Sequence, residues 1–403
     1  WTTGDVGMTG TSYNGTLPNQ VATTGVEGLR TIIPVSAISS WYDYYRANGL
    51  VVAPHSEVQG AGDNEFLGED TDVLADFIAA RMLTTCAEQR RYLVLNQDRV
   101  TGDWSSFWSA RDYLSRVKRV RASVFVVHGL NDWNVKTKAF ASWWQRLARY
   151  HVPRKLWLHN GGHGGPGGAA AADYKLTENR WFDRWLFDVQ NGITREPRVH
   201  IQREDGVYAD EADWPAPGTR TTRLHLASPG ALTTAPRPTA AQSFVDRGRE
   251  LDTDDVLITN PDTASPNRLA YLTPPLTRAA RLSGTPWVDL RMSINNRDDA
   301  NLTAVLVDYA PDNTPEMVTR GWLDPQNRVR IDRGRTLRRG QLYDFSWDLQ
   351  PDDHVFPAGH RIGLVVVSTD HDYTIRPLPG TQLTLDPSYS SIRLPLVGGT
   401  AAR

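Results

Sequence analysis

Three residues in this chain carry side chains that together could transfer an acyl group. Ser12 stands in Gly10-Thr11-Ser12-Tyr13-Asn14-Gly15, Asp132 follows an apolar run ending His128-Gly129-Leu130-Asn131, and His163 lies within Asn160-Gly161-Gly162-His163-Gly164-Gly165. A serine hydroxyl is a poor nucleophile at neutral pH until an imidazole removes its proton. A carboxylate behind the imidazole fixes its tautomer and stabilises the imidazolium. Each residue alone is more often structural than catalytic, and only the elements that position them can make them a triad.

The run from Val6 to Gly10 reads as an extended strand that breaks at Gly10, presents Ser12 and continues into a segment (17–24) that can be helical. That is the build of a nucleophile elbow, a strained strand-to-helix turn that pushes the serine oxygen outward. The Tyr13 N–H then lies at a helix N-terminus, able to donate to an oxyanion. The spacing departs from G-x-S-x-G, because Asn14 fills the expected glycine position and the glycine comes at Gly15. On the motif alone an ordinary glycine-rich turn weighs as much. Asp132 and His163 each follow a buried strand, which puts both on the same sheet edge as Ser12, in the Ser…Asp…His order of α/β-hydrolases. His159 belongs to the alternation of its strand and His128 ends one, so both read as structural neighbours of the site. The other histidines lack metal-ligand spacing, and no metal or cofactor is expected.

The chain has 403 residues, room for two or three domains, and a net charge of −2, which argues against a nucleic-acid partner. It holds no apolar run long enough to span a bilayer. Cys86 is its single cysteine, which excludes an intrachain disulfide; next to the apolar helical stretch 77–85 it reads as a small buried filler. After the elbow come a strand (29–37) and then helical stretches (70–81, 87–95, 105–114) with aromatics at Trp41, Tyr42, Tyr44 and Tyr45, a pattern that reads as a helical cap inserted over 38–121. A strand (122–128), an amphipathic helix (138–149), a strand (155–159) and a Trp-rich helix (178–188) complete an α/β pattern over 1–193. Beyond 194 the periodicity changes to short alternating segments (199–202, 223–226, 287–292, 304–307, 361–367, 391–395), the pattern of a β-sandwich, read as a jelly roll over 194–403. Because Trp1 lies only a few residues ahead of the elbow strand, the early strands of an α/β-hydrolase sheet are expected from an N-terminal segment or a separate chain. Without that partner, residues 1–403 are expected to be neither soluble nor active.

With these residues in view, the chain resembles the Xaa-Pro dipeptidyl-peptidases, serine peptidases related to cocaine esterase and the α-amino-acid ester hydrolases. The resemblance spans nearly the whole chain and is most specific at 7–15, 22–29, 38–42 and 127–135. It implies an α/β-hydrolase domain with a helical cap and a C-terminal jelly roll, and a Ser12–His163–Asp132 triad. It further implies that Trp41, Tyr44, Trp133 and Asn134 line the proline pocket or its neighbourhood, and that Phe66, Glu69 and Leu74 receive the first residue of the substrate. Glu69 corresponds to the acid that binds the free α-amine, a sensible use of a shielded carboxylate; the plainer role for it is to complement a helix dipole. A stretch around 56–64 looks inserted relative to shorter relatives, and the tyrosine that donates to the oxyanion hole in this family is missing.

The favoured activity is release of N-terminal Xaa-Pro dipeptides from peptides with proline in second place. An esterase or acylase of the cocaine-esterase or amino-ester type is the alternative, and a carbohydrate- or surface-binding protein with a degenerate hydrolase part is the reading from a different class. Secretion is expected over the cytoplasm, and self-association is left open.

Overall fold

The computed structural model describes residues 3–52, 87–248 and 250–399. Phe66, Glu69, Leu74 and Cys86 lie outside the described residues, as do the helix expected over 70–81 and the insertion around 56–64.

The first part is built on a six-stranded mixed sheet. Its strands, in spatial order, are β1 (Val6–Thr11), β2 (Leu29–Val35), β5 (Ser123–Gly129), β6 (Arg154–His159), β7 (Val199–Gln202) and β8 (Tyr208–Glu211). The first five are parallel and β8 is antiparallel to β7. One row across the sheet reads Thr11, Val35, Val127, Trp157. Three of the loops at the carboxyl edge therefore start from adjoining rows. Val199–Gln202, grouped by its alternation with the second domain, pairs with β6 and extends this first sheet. A period of two identifies a strand but not its partner.

Alternate strand residues feed the two faces of the sheet. Val124, Val126, Leu156 and Leu158 pack against α5 (Lys138–Arg149), whose Phe140, Trp143, Trp144 and Leu147 recur at helical spacing. Phe125, Val127 and Trp157 face the opposite way, against Trp181, Phe182 and Trp185 of α6 (Ala170–Leu186). Burial of each such large side chain contributes about 1.5–3 kcal/mol. The α6 helix begins earlier than its Trp-rich core suggests, and α1 (Tyr13–Ala22) starts directly after Ser12. Between β2 and β5 lie α2 (Trp41–Tyr45), the short pair β3 (Arg46–Ala47) and β4 (Leu50–Val51), α3 (Ala87–Gln97), α4 (Ser106–Ser109) and a 3₁₀ turn, Leu114–Arg119. The helix expected over 105–114 is thus reduced to a single turn.

The remainder is β-rich. Strands β9 (Thr219–Ala227) to β20 (Gln382–Val397) form one hydrogen-bonded network of twelve strands. It includes β13 (Ala280–Gly284), β16 (Pro315–Leu323), β18 (Asp352–Phe356) and β19 (Arg361–Val367). Val318 of β16, Leu282 of β13 and Phe356 of β18 share one apolar core although they come from opposite ends of the strand order. The network therefore curls around that core. It is tied to the first part by polar contacts: Lys138 at the start of α5 bonds Asp348 at 2.8 Å, and Asn48 donates to the Trp322 carbonyl at 3.0 Å.

Candidate functional site

Ser12 terminates β1 with φ 62° and ψ −127°, a left-handed conformation that costs a non-glycine residue free energy and persists only where its surroundings enforce it. Here the Ser12 N–H donates to the Val35 carbonyl at 2.9 Å, while the Ser12 carbonyl accepts from the N–H of Gly15 and Thr16 and from the Thr16 hydroxyl. The glycines are required by packing. A Cβ on Gly10 would lie 2.5 Å from the Asn14 carbonyl oxygen, and one on Gly15 would lie 2.6 Å from that of Gly10. Gly15 thus keeps helix and strand in contact one position later than the common motif. The Tyr13 N–H opens α1, where first-turn donors have no intrahelical acceptor.

Asp132 follows β5 and is buried. Its Oδ1 accepts from the N–H of Asn134 (3.1 Å) and Val135 (2.8 Å), and its Oδ2 lies 2.9 Å from His163 Nδ1. Burial alone would push the carboxyl pKa up, but the His163 hydrogen bond and the attraction to His128 and His163 whenever these are protonated hold it below its usual value. The ionised carboxylate only accepts, so the proton sits on His163 Nδ1, leaving Nε2 able to take another.

The competing histidines are occupied elsewhere. His159 Nε2 donates to the Gly164 carbonyl at 3.1 Å and its Nδ1 accepts from the Gly161 N–H at 3.1 Å, so its ring braces the loop that carries His163. His128 Nε2 donates to the Val135 carbonyl at 2.8 Å and so holds the Asp132 turn. Burial lowers the pKa of both rings and favours their neutral forms. Two further supports carried no signal in the sequence. The Ser36 hydroxyl exchanges hydrogen bonds with Gly164, and Gly129 lets the carbonyls of Gly161 and Gly162 approach to where a Cβ would meet each at 2.3 Å.

An aromatic wall starts at the elbow. The Tyr13 ring lies 6.2 Å from that of Trp41, Trp41 meets Tyr44 edge-on at 5.9 Å, and the Tyr44 hydroxyl donates to Asn134 Oδ1 at 2.7 Å. Contacts thus run unbroken from the residue after Ser12 to the turn that holds Asp132. Trp133 does not join this wall. Its ring faces the β-rich part, 5.4 Å from Tyr373 and 6.5 Å from Trp322. A wide surface groove lined by Asp5, Glu27, Arg30 and Phe187 lies at the amino ends of β1 and β2, away from this edge. No helix among the described residues is long and apolar enough to cross a membrane.

Residues 1–165 match the X-Pro dipeptidyl-peptidase (S15) family and residues 191–401 match the X-Pro dipeptidyl-peptidase C-terminal non-catalytic domain. A Bacillus anthracis protein provisionally named Xaa-Pro dipeptidyl-peptidase is 48% identical over 98% of this chain, which spans 64% of that protein's length. The Xaa-Pro dipeptidyl-peptidase of Lactobacillus delbrueckii subsp. lactis is 32% identical over 96% of this chain and 54% of its own. Among solved structures, an aminopeptidase from a marine-sediment Thaumarchaeota archaeon superimposes with TM-score 0.78 at 16% identity, over 98% of this chain and 76% of that one. An α-amino acid ester hydrolase superimposes with TM-score 0.70 at 18% identity, over 97% and 76%. These two show a shared fold. The two family matches, one over more than half of the chain and the other over most of the rest, show more: this chain belongs to the Xaa-Pro dipeptidyl-peptidase family of serine peptidases, S15.

Proposed function

We propose that the protein releases N-terminal Xaa-Pro dipeptides through an acyl-enzyme on Ser12. The observation that carries the reading is the 2.9 Å contact between His163 Nδ1 and a buried, ionised Asp132, on the sheet edge where a strained serine ends β1. His163 Nε2 takes the proton as Ser12 Oγ attacks the carbonyl carbon of the proline. The Tyr13 N–H donates to the oxyanion, and the protonated imidazole returns its proton to the leaving amine. Water then hydrolyses the ester by the same route. Trp41, Tyr44 and Asn134 form the apolar, hydrogen-bonded wall suited to a proline ring. Phe66, Glu69 and Leu74 are assigned to the substrate's first residue by resemblance, with Glu69 on its ammonium group.

We further assign the parts as an α/β-hydrolase domain over 1–193 with its cap over 38–121, and a jelly roll over 194–403, with β7 and β8 hydrogen-bonded to the first. Along β1, at the edge of the sheet and with Val6 50% exposed, we place a further strand from an N-terminal segment or chain.

Hydrolysis of an Xaa-Pro-anilide, its N-acetylated counterpart and a simple aryl ester tests the reading. The expected order is free-amine anilide well above its acetylated form. Faster turnover of the aryl ester, indifferent to the free amine, would favour an esterase and overturn the assignment.

A further inference from the structure

The C-terminal part matches a domain described as non-catalytic, yet one of its side chains reaches toward the Asp132 turn. Arg320 is fully buried on β16, on the same face as Trp322. Its Nη1 bonds both oxygens of Asp370 at 3.0 Å and lies 3.6 Å from Asp372, and its Nη2 pairs with Asp254. Trp322 Nε1 donates to the same Asp370 at 2.8 Å. These contacts fix the guanidinium beside two rings that themselves meet at 5.4 Å, its carbon 4.4 Å from the centroid of Tyr373 and 5.1 Å from that of Trp133. Trp133 is the residue after Asp132. The two N–H groups that bond the Asp132 carboxylate belong to the next two residues.

We propose that Arg320 is a positioning residue for the reaction: the β-rich part clamps the Trp133 ring and thereby sets the turn that aims Asp132 at His163. A guanidinium suits this task because it is flat, permanently charged and weakly hydrated, so it stacks on aromatic faces while its edge stays hydrogen-bonded. Three carboxylates prevent its rotation. Neither Arg320 nor Tyr373 touches the triad, and the linkage passes through one side chain and the backbone of one turn. Small misplacements of such a turn are costly, because a shift of about 1 Å in a reacting group can lower a rate by about 100-fold. The inference rests on the Ser12–His163–Asp132 reading and adds the second part of the chain to it.

The test uses the naturally encoded protein and a small fluorophosphonate, which reacts at an activated serine without filling a proline pocket. Its labelling rate is followed against pH in wild type, Asp132→Asn, Arg320→Lys and Tyr373→Leu, with thermal melts of each. Arg320→Lys keeps the charge and loses the flat stacked face. We expect labelling of Arg320→Lys to slow by about 10-fold. The acid limb of its pH profile should move to lower pH, since a less well held Asp132 stabilises the His163 imidazolium less. Tyr373→Leu, which leaves the ion pairs in place, should move both readouts the same way by less, and it carries the test if Arg320→Lys loses its cooperative melt. Folded variants with wild-type rate and midpoint would overturn the inference. Absence of labelling at Ser12 in wild type, or wild-type labelling of Asp132→Asn, would instead overturn the triad on which it rests.

Discussion

Two aspartates in this molecule each sit between two histidines, one in each part. Asp132 has His163 Nδ1 at 2.9 Å and His128 Nε2 at 3.8 Å; Asp308, in the β-rich part, has His354 Nε2 at 3.0 Å and His360 Nδ1 at 2.9 Å. Both aspartates are buried. The difference lies beyond the histidine. The other nitrogen of His354 lies 3.5 Å from Glu204, and only 8% of its side chain is exposed, against 28% for His163. Burial would lower the His354 pKa, but the Asp308 hydrogen bond and the surrounding Asp352, Glu204 and Asp308 charges raise it, which favours the protonated ring. An Asp–His contact is therefore a way of fixing a ring. Chemistry needs in addition a nucleophile presented to that ring: Ser12 ends β1 on the edge that carries His163, whereas in the second site His354 turns to Glu204, and the described positive-φ serines, Ser12 and Ser36, both lie in the first part.

That contrast is most open to being broken by removing each group in turn. Ser12→Ala and His163→Ala should each lower kcat by about 10⁴-fold or more with little change in melting temperature, and the double variant should be scarcely worse. Asp308→Asn should do the reverse. It removes the carboxylate hydrogen-bonded to two histidines, one of them buried, and should cost about 3–5 kcal/mol of stability by denaturant unfolding, while the folded fraction keeps its kcat. A loss of turnover in Asp308→Asn at unchanged stability would erase the distinction.

Smaller effects sharpen it. Gly129→Ala forces a methyl onto the carbonyls of Gly161 and Gly162, costing about 1–3 kcal/mol and shifting the His163 loop; a drop in kcat larger than the fall in stability is expected. His159→Ala removes two contacts to that loop and should cost far less activity than His163→Ala, with about 1–2 kcal/mol of stability. A reversed ranking of the two histidines would mean that His159 is the base. The smallest effect is a dependence on pH. His354 has a folded pKa raised above its unfolded value, so its stabilisation is complete below about pH 6.5 and is lost as pH rises through the folded pKa. His354→Gln should flatten the fall in wild-type stability on that alkaline side. An unchanged slope would show that the ring is neutral in the folded protein.

The sequence made some of this legible and concealed the rest for physical reasons. The helix over 138–149 coincides with α5 because its buried Phe140, Trp143, Trp144 and Leu147 alone impose the period. The strand over 361–367 coincides with β19 because its run of valines has no competing helical reading. The α6 helix begins well ahead of the stretch expected for it, since alanines 170–172 continue the helix without contributing a periodic face. At the site, residue types and order pointed to Ser12, Asp132 and His163, which the fold places on one edge. Which way Trp133 turns, and that Arg320 and Tyr373 meet it, depends on packing between segments far apart in sequence, which no local pattern encodes. The division of labour between His159 and His163 emerges only from the loop's backbone hydrogen bonds.

The central claim is that Ser12 is acylated with His163 as its base. Mass mapping after reaction of the naturally encoded protein with an Xaa-Pro phosphonate ester tests it directly. One adduct per chain is expected on the peptide bearing Ser12, abolished in His163→Ala and retained in folded Asp308→Asn. An adduct on another residue, or one at Ser12 that forms at the wild-type rate in His163→Ala, would contradict it.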